Sequence, residues 1–556
     1  MPATDTPGPA GGATRRLAAA LLLAILFAAS GCGRAPGPPP GGRRLVVVGV
    51  DGATWSIISP LMEQGRMPRL AGLYRAGSAG LLRSLEPMLP AALWTTVATG
   101  KSRGAHAIET AAERIPGRYA ARPVTADRRR APALWTIASA RGLTVGVSGW
   151  ALTFPAETLE GFVVAEGYEP EVTGDHGYLY PEGALGSGGG GGEALALSAG
   201  SAAIAALDGE LKESFDRDLS LLSRGLALYR VYQPRLAFFR FASVDLASHR
   251  FWQYRETRYL DLAASRGRAV DPARATALSA ALPGAYVFFD EWLGLLLEHL
   301  PEKSTLLILS DHGFRGVRMT DDLHADLNRL LERLGYLAFT RRDKPDWGKT
   351  RAFTLDDVGG MRRPIYLNVK GRDHDGIVEA EAAPAMAARL AGALRELKSH
   401  LGEPVFRNVT VGESPGPGEP DLTVVENLGI DPRGEVVVGR ERVPVAALYR
   451  RYGEDFGTHD PDGILLAAGE GIAAGRTGWS AELYDVVPTA LRLMGLPCAS
   501  DMPGHPVESI LAAPAPADDR LVPTYNDLPP APGPVKRSST LADAELDRLR
   551  ALGHLR

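Results

Sequence analysis

Short runs of apolar residues recur along the chain, separated by stretches in which apolar positions return every three or four residues. The first run, Leu45-Val46-Val47-Val48-Gly49-Val50, has no polar interruption and ends at Asp51. Similar runs occupy residues 143–147, 236–239, 305–309 and 464–467. A run that does not alternate suits a strand covered on both faces. Between the runs, residues 224–232 and 285–300 carry helical spacing. Strands alternating with helices predict an α/β fold, a mainly parallel sheet between helices. In such sheets ligands sit at the carboxyl ends of the strands.

Two stretches interrupt this alternation. Residues 154–206 contain a glycine run at 188–192 and read as an inserted surface loop. Residues 321–419 have helices of their own and the apolar run Pro364-Ile365-Tyr366-Leu367-Asn368-Val369, and read as a cap over the active site. The main domain is expected over residues 45–512. Beyond it, residues 513–534 are rich in Pro and Ala, and the last residues have helical apolar spacing at Leu541, Leu546, Leu549, Leu552 and Leu555, so 513–556 reads as a linker and a terminal helix.

The start of the chain predicts a separate segment. Arg15 and Arg16 precede an apolar run at 17–29, which is short for a membrane span of about 20 residues and has the layout of a secretory signal. It ends in Ala29-Ser30-Gly31-Cys32, which resembles a bacterial lipobox, with Ala29 where Leu is commoner. Residues 1–32 are therefore expected to be a lipoprotein signal, with Cys32 as the lipidated residue, and the Pro/Gly-rich 33–44 a tether. The protein is then expected in the cell envelope, held to a membrane by its lipid. Gly33 lacks the acidic character associated with inner-membrane retention, which favours the outer membrane.

Composition changes this picture little. Of 556 residues, 45% are hydrophobic and 23% charged, ordinary values for a globular protein. A formal net charge of −4 gives no global basic field, so nucleic acid is not an expected partner. Only two cysteines are present. With Cys32 lipidated, Cys498 stands alone, and the fold must rely on its core rather than on disulfides.

Candidate chemistry lies where the apolar runs end. Asp51 follows the first run, and Asp311 and His312 follow the run that ends at Leu309. Asp245 and His249 follow the run at 236–239 and are four residues apart, which places both on one face of a helical turn. His459 precedes the run at 464–467. These six carboxylates and imidazoles are donors of the kind zinc prefers, enough for two catalytic ions with three protein ligands each. Singly, an Asp after a strand is more often a turn former. Their recurrence at one sheet edge is the signal.

The segments Val48-Gly49-Val50-Asp51-Gly52, Trp94-Thr95-Thr96-Val97-Ala98-Thr99-Gly100-Lys101, Val244-Asp245 with His249 and Phe251-Trp252, Ser310-Asp311-His312-Gly313, and Gly457-Thr458-His459 occur in an order that resembles the type I phosphodiesterase and nucleotide pyrophosphatase branch of the alkaline phosphatase superfamily. Asp485-Val486-Val487-Pro488-Thr489 and Met494-Gly495-Leu496-Pro497 extend the likeness to about residue 512. The resemblance implies an alkaline-phosphatase-like fold, two zinc ions and a small phosphorylated substrate. It assigns Asp51, Asp311 and His312 to one ion and Asp245, His249 and His459 to the other.

One departure bears on mechanism. The family's nucleophile is a Thr or Ser at the start of the helix that contains Trp94-Thr95-Thr96, and that position falls on Pro90. Proline suits the first turn of a helix but cannot attack phosphorus. Glu86-Pro87-Met88-Leu89-Pro90 contains no hydroxyl. Three readings stay open: Thr95 or Thr96 substitutes, a metal-bound hydroxide attacks directly, or the chain binds metal without turnover. Ala107, where the family usually has Gly, is a milder departure. Lys101 and Arg103 either touch a phosphate or, the expected case, are solvated, His106 is either a partner of the site or a loop residue, and His324 with Asp321 and Asp322 is a weak metal-like cluster. No cysteine stands in a sulfatase-type site, and no glycine-rich loop of the nucleoside-triphosphatase kind is present.

Overall fold

Val46, Val48 and Val50 pack into one apolar cluster while Leu45 and Val47 pack into another, on opposite faces of one strand. That is why the opening run shows no alternation: neither face meets water. In the computed structural model the described residues are 43–169, 174, 177–186, 209–265, 270–317, 323–341, 344–355, 362–427, 429–451, 456–513 and 521–528. The stretches read as a signal with Cys32 and most of that read as a tether, the glycine run at 188–192, Asp321, Asp322 and most of 513–556, read as a linker and terminal helix, lie outside them.

The strand Arg44–Val50 is central in a nine-stranded sheet. Leu236–Phe241 and Ser304–Leu309 flank it, both parallel to it. On the first side follow Val145–Ser148 and Gly161–Val164, parallel, and then Leu179–Tyr180, antiparallel. On the other side follow Asp462–Gly469, antiparallel, then Ser78–Arg83 and Arg476–Glu482. Helices cover both faces. Gly209–Tyr232 and Ala281–Leu297 contribute to one cluster, and Pro90–Thr99, Leu134–Ala140 and Val486–Met494 to the other. The fold is thus α/β with helices on both faces of a mainly parallel sheet.

Two expectations shift. Gly161–Val164 and Leu179–Tyr180 fall within the stretch read as a surface insertion, yet they form the edge of the sheet. Gly161 to Val164 are all buried. The inserted cap has its own sheets and its own apolar core, and that core runs from Leu323 to Tyr449, well past residue 419. Strands Leu422–Glu426 and Glu435–Val438 belong to it. Helix Ala383–Glu396 buries Ala387, Leu390, Ala391 and Leu394 against them, one stripe at helical spacing.

Cap and body meet at two places. The first is a narrow ribbon. Gly313–Gly316 pairs antiparallel with Gly457–Asp460, and Leu323–Ala325 pairs antiparallel with Tyr449–Arg451. At the body end the Val317 N–H donates to the Phe456 carbonyl at 2.9 Å. The second is the hairpin formed by Ala112–Arg114 and Ala121–Pro123. Its Tyr119 ring stacks on Trp347 of the cap at 3.6 Å, and the Tyr119 hydroxyl donates to Asn368 Oδ1 at 2.8 Å.

Candidate active site

Three neighbouring strands end at the same edge of the sheet, and each hands over a carboxylate. Asp51 follows Arg44–Val50, and its N–H donates to the Phe241 carbonyl at 3.0 Å. Gly52 next turns the chain at φ +67°, where a Cβ would stand 2.8 Å from Asp245 Oδ1, so only glycine lets the two acids approach. Asp245 and His249 stand on the helix Ser243–Phe251, one turn apart, with His249 Nε2 3.7 Å from Asp245 Oδ2. Asp311 and His312 follow Ser304–Leu309 through Ser310. The Ser310 hydroxyl donates to the His312 carbonyl and accepts from Ala53 N–H at 3.0 Å, tying this turn to the Asp51 turn.

His459 enters from the ribbon. It is paired in register with Phe314, and its ring stacks on His312 at 3.7 Å. Its Nε2 lies 3.7 Å from Asp245 Oδ1 and 3.1 Å from His249 Nε2. All six residues singled out in the sequence therefore converge. Donor atoms of Asp51, Asp311 and His312 lie within 4.8 Å of one another, and so do those of Asp245, His312 and His459.

The electrostatics are lopsided. Asp51, Asp245, Asp311 and His312 are at most 2% exposed. Among the described residues Asp245 Oδ1, both oxygens of Asp311 and His312 Nε2 are buried with no hydrogen-bond partner. Burial, and then the charge of Asp51, push the Asp245 and Asp311 carboxyls well above the usual carboxylate range. His312 Nδ1 donates to the Gly313 carbonyl at 3.0 Å, which leaves Nε2 as the bare nitrogen, 3.6 Å from both Asp51 Oδ1 and Asp311 Oδ2. Close carboxylates with an imidazole lone pair aimed between them form a donor set for divalent cations.

The helix that carries the nucleophile in the family starts at Pro90, which is buried. Both threonine candidates are otherwise engaged. The Thr95 hydroxyl donates to the Ala91 carbonyl at 2.7 Å, and Thr96 Oγ1 lies 3.1 Å from His106 Nε2. Because His106 Nδ1 accepts from Ile108 N–H, Nε2 carries the proton and Thr96 accepts it. Burial, with Arg103 and Arg129 nearby, holds this imidazole neutral, its pKa lowered to about 3. His106 is a bracket at the end of the helix rather than a partner of the cluster.

Other residues fall elsewhere than expected. Lys101 is buried and ion-paired with Asp501 instead of solvated. Arg103 donates to the Leu85 and Pro87 carbonyls, holding the segment before Pro90. His324 bonds Glu426 within the cap core. Two positions escaped the sequence reading. Asp218 accepts from Ala242 N–H, Ser243 N–H and the Ser243 hydroxyl, which anchors the start of the Asp245 helix. Arg240 contacts Asp51 from inside the sheet. An arginine within the apolar run Leu-Ala-Phe-Phe-Arg-Phe was the signal for the second.

Residues 45–459 match the family described as type I phosphodiesterase / nucleotide pyrophosphatase. Among curated proteins none matches. Two solved structures are similar. One is murine ectonucleotide pyrophosphatase/phosphodiesterase 5, an inactive variant in complex with AMP, at 14% identity, TM-score 0.47, covering 84% of this chain and 100% of that one. The other is the human form of the same protein, at 12% identity, TM-score 0.47, covering 85% of this chain and 100% of that one.

Proposed function

We propose, from the premise that this chain belongs to the type I phosphodiesterase / nucleotide pyrophosphatase family, that it is a two-metal phosphoester hydrolase in which water attacks phosphorus without a side-chain nucleophile. Asp51, Asp311 and His312 would hold one ion, and Asp245, His249 and His459 the other. The donors suit zinc. The observation that carries this reading is the set of buried oxygens and the imidazole nitrogen left without hydrogen bonds at the junction of three strands. Like charges are buried together only where a cation compensates them. When bound, two zinc ions polarise a phosphoryl group and acidify water.

The chain's own residues do the rest. Asp218 fixes the start of the helix that presents Asp245 and His249. Ser310 joins the Asp51 and Asp311 turns. Pro90 presets the first turn of its helix and supplies no hydroxyl, which is why direct attack by water is favoured. The substrate class is a small phosphorylated molecule carrying a phosphoester bond, a diester or a monoester. The site of action is the cell envelope, with Cys32 as the lipid attachment point. Pro90, together with the engaged hydroxyls of Thr95 and Thr96, also favours a second reading, a metal-containing protein that binds such a ligand without turnover.

Zinc-loaded full-length protein assayed on bis-p-nitrophenyl phosphate and p-nitrophenyl phosphate separates the two. Turnover is expected on at least one, lost by a factor of about 10³ or more, roughly 4 kcal/mol, in Asp245→Ala. Thr95→Ala and Thr96→Ala are expected to keep most of the rate per folded molecule. Two bound zinc ions with no hydrolysis of either ester would favour the second reading. Hydrolysis indifferent to Asp245→Ala would remove this cluster from the chemistry.

A further inference from the structure

Asp51 offers the cluster only one of its two oxygens. Oδ2 is engaged twice, by Trp94 Nε1 at 3.3 Å and by an Arg240 amino group in close contact. Oδ1 is the atom 3.6 Å from His312 Nε2. Arg240 lies on the neighbouring strand, level with Gly49, and is 3% exposed. Its other amino group donates to Glu166 Oε1 at 2.8 Å, and its guanidinium carbon lies 5.2 Å from the centre of the Trp94 ring. Gly49 makes room for that ring, since a Cβ there would stand 2.6 Å from it. Four residues, Gly49 and Arg240 on two strands, Trp94 on a helix and Glu166 in a turn, are thus built around one carboxylate oxygen.

This cradle changes the charge of one half of the centre. Asp51 and Asp311 with a neutral His312 would carry two negative charges; Arg240 in contact with Asp51 offsets one of them, less the share of its charge taken by Glu166. The other half, Asp245 with two imidazoles, carries one already. We infer that Arg240 is a permanent counter-ion of the Asp51 half: it fixes Asp51 as a one-oxygen donor and holds that half's affinity for a divalent cation below what its two carboxylates and imidazole alone would give. Glu166 moderates the effect by sharing the guanidinium. The inference rests on the two-metal reading above. A like-charged group in contact with a ligand opposes an incoming cation most strongly where water is excluded.

The test is zinc binding to the full-length protein, read by competition with a chromophoric chelator and by melting temperature with and without zinc. Arg240→Met is expected to tighten one of the two sites, the one beside Asp51, by about tenfold or more and to lower the melting temperature of the zinc-free protein more than that of the loaded one. Glu166→Gln, which leaves the guanidinium charge less compensated, is expected to move the same site the opposite way, weakening it about threefold. Arg240→Lys, which keeps the charge, is expected to stay within about threefold of the unmodified protein. A purely structural role would shift both zinc-loaded and zinc-free stability alike and leave the affinities unmoved. That result, or shifts of the same sign in Arg240→Met and Glu166→Gln, overturns the inference. If Arg240→Met does not fold, an unchanged or tighter site in Glu166→Gln overturns it alone. An unmodified protein that takes up no zinc defeats the metal reading itself, whereas two bound ions with same-sign shifts defeat only the counter-ion.

Discussion

Body and cap each bury a cluster of ionisable side chains, and the two clusters are built on opposite plans. In the cap, Glu426 accepts from His324 Nδ1 at 2.9 Å and from Arg363 at 2.9 Å, so each of its oxygens has a partner. Arg372 pairs with Asp421, and at the seam with the body hairpin Arg114 pairs with Asp373. In the body, three acids crowd together, and among the described residues Asp245 Oδ1 and both Asp311 oxygens have no hydrogen-bond partner. The same residue types thus give carboxylates with a partner on each oxygen in one place and carboxylates with unpartnered oxygens in the other. Burial of polar groups does not distinguish a functional site, because both clusters are buried. Charge balance does: Glu426 in the cap has a cationic partner within the fold, whereas the three body acids share a single arginine contact, Arg240 on Asp51.

That contrast can be attacked from each side. The largest effect is expected in the cap. Glu426→Gln leaves Arg363 buried without its counter-ion, and should cost about 3–5 kcal/mol in chemical denaturation. A loss below about 1 kcal/mol would show that the cap network is not the tightly satisfied one described. In the body the sign should reverse. In zinc-free protein, Asp311→Asn relieves repulsion from Asp51 and should raise stability by about 1–2 kcal/mol, even as zinc uptake falls. Destabilisation of the zinc-free protein by that change would mean that the carboxylate is structurally paired after all.

The smallest effect is in the pH dependence. Burial and the negative charge of Asp51 raise the folded carboxyls of Asp245 and Asp311 above their unfolded values. Zinc-free protein therefore gains stability there as pH falls through those raised values, fully present below the unfolded pKa of about 4. For Glu426, burial raises the pKa, but the bonds to His324 and Arg363 outweigh it and the net shift is downward. Its contribution is present above an unfolded value of about 4 and is lost as pH falls through the lower folded one. Hydrogen exchange at about pH 4 and below should show cap amides opening before those of the central strands. Simultaneous opening would erase the distinction.

Much of the body was legible because its signals are local. An uninterrupted apolar run marks a strand buried on both faces, and an acid just after it marks the sheet edge. Residues 45–50, 236–239 and 305–309 gave those signals, and the strands found there are the three that bring the acids together. Asp218 was not legible. It sits in a long amphipathic helix among other polar residues, and its bonds to Ala242 and Ser243 depend on how that helix packs. The short strands at 161–164 and 179–180 were hidden by glycine-rich surroundings. The end of the cap was missed because Leu422–Glu426 lies far along the chain from Arg362–Leu367, its partner in the cap sheet. Arg240 did leave a mark, a charge inside a buried run, but one residue cannot announce which acid it will meet.

The ribbon between the two bodies has an evolutionary corollary. The chain leaves the main domain at Val317 and re-enters it at Phe456, two residues joined by a backbone hydrogen bond. An insertion whose entry and exit are adjacent demands nothing of the strands beneath, and lengthening it adds only the slowly growing entropy of a longer loop. The junction would therefore serve as a socket, able to take a lobe of another size at the expense only of the hairpin contact through Tyr119 and Arg114, with Asp311, His312 and His459 beside it. Diversification of what the protein recognises can proceed at that socket while the sheet and its acids stay as they are.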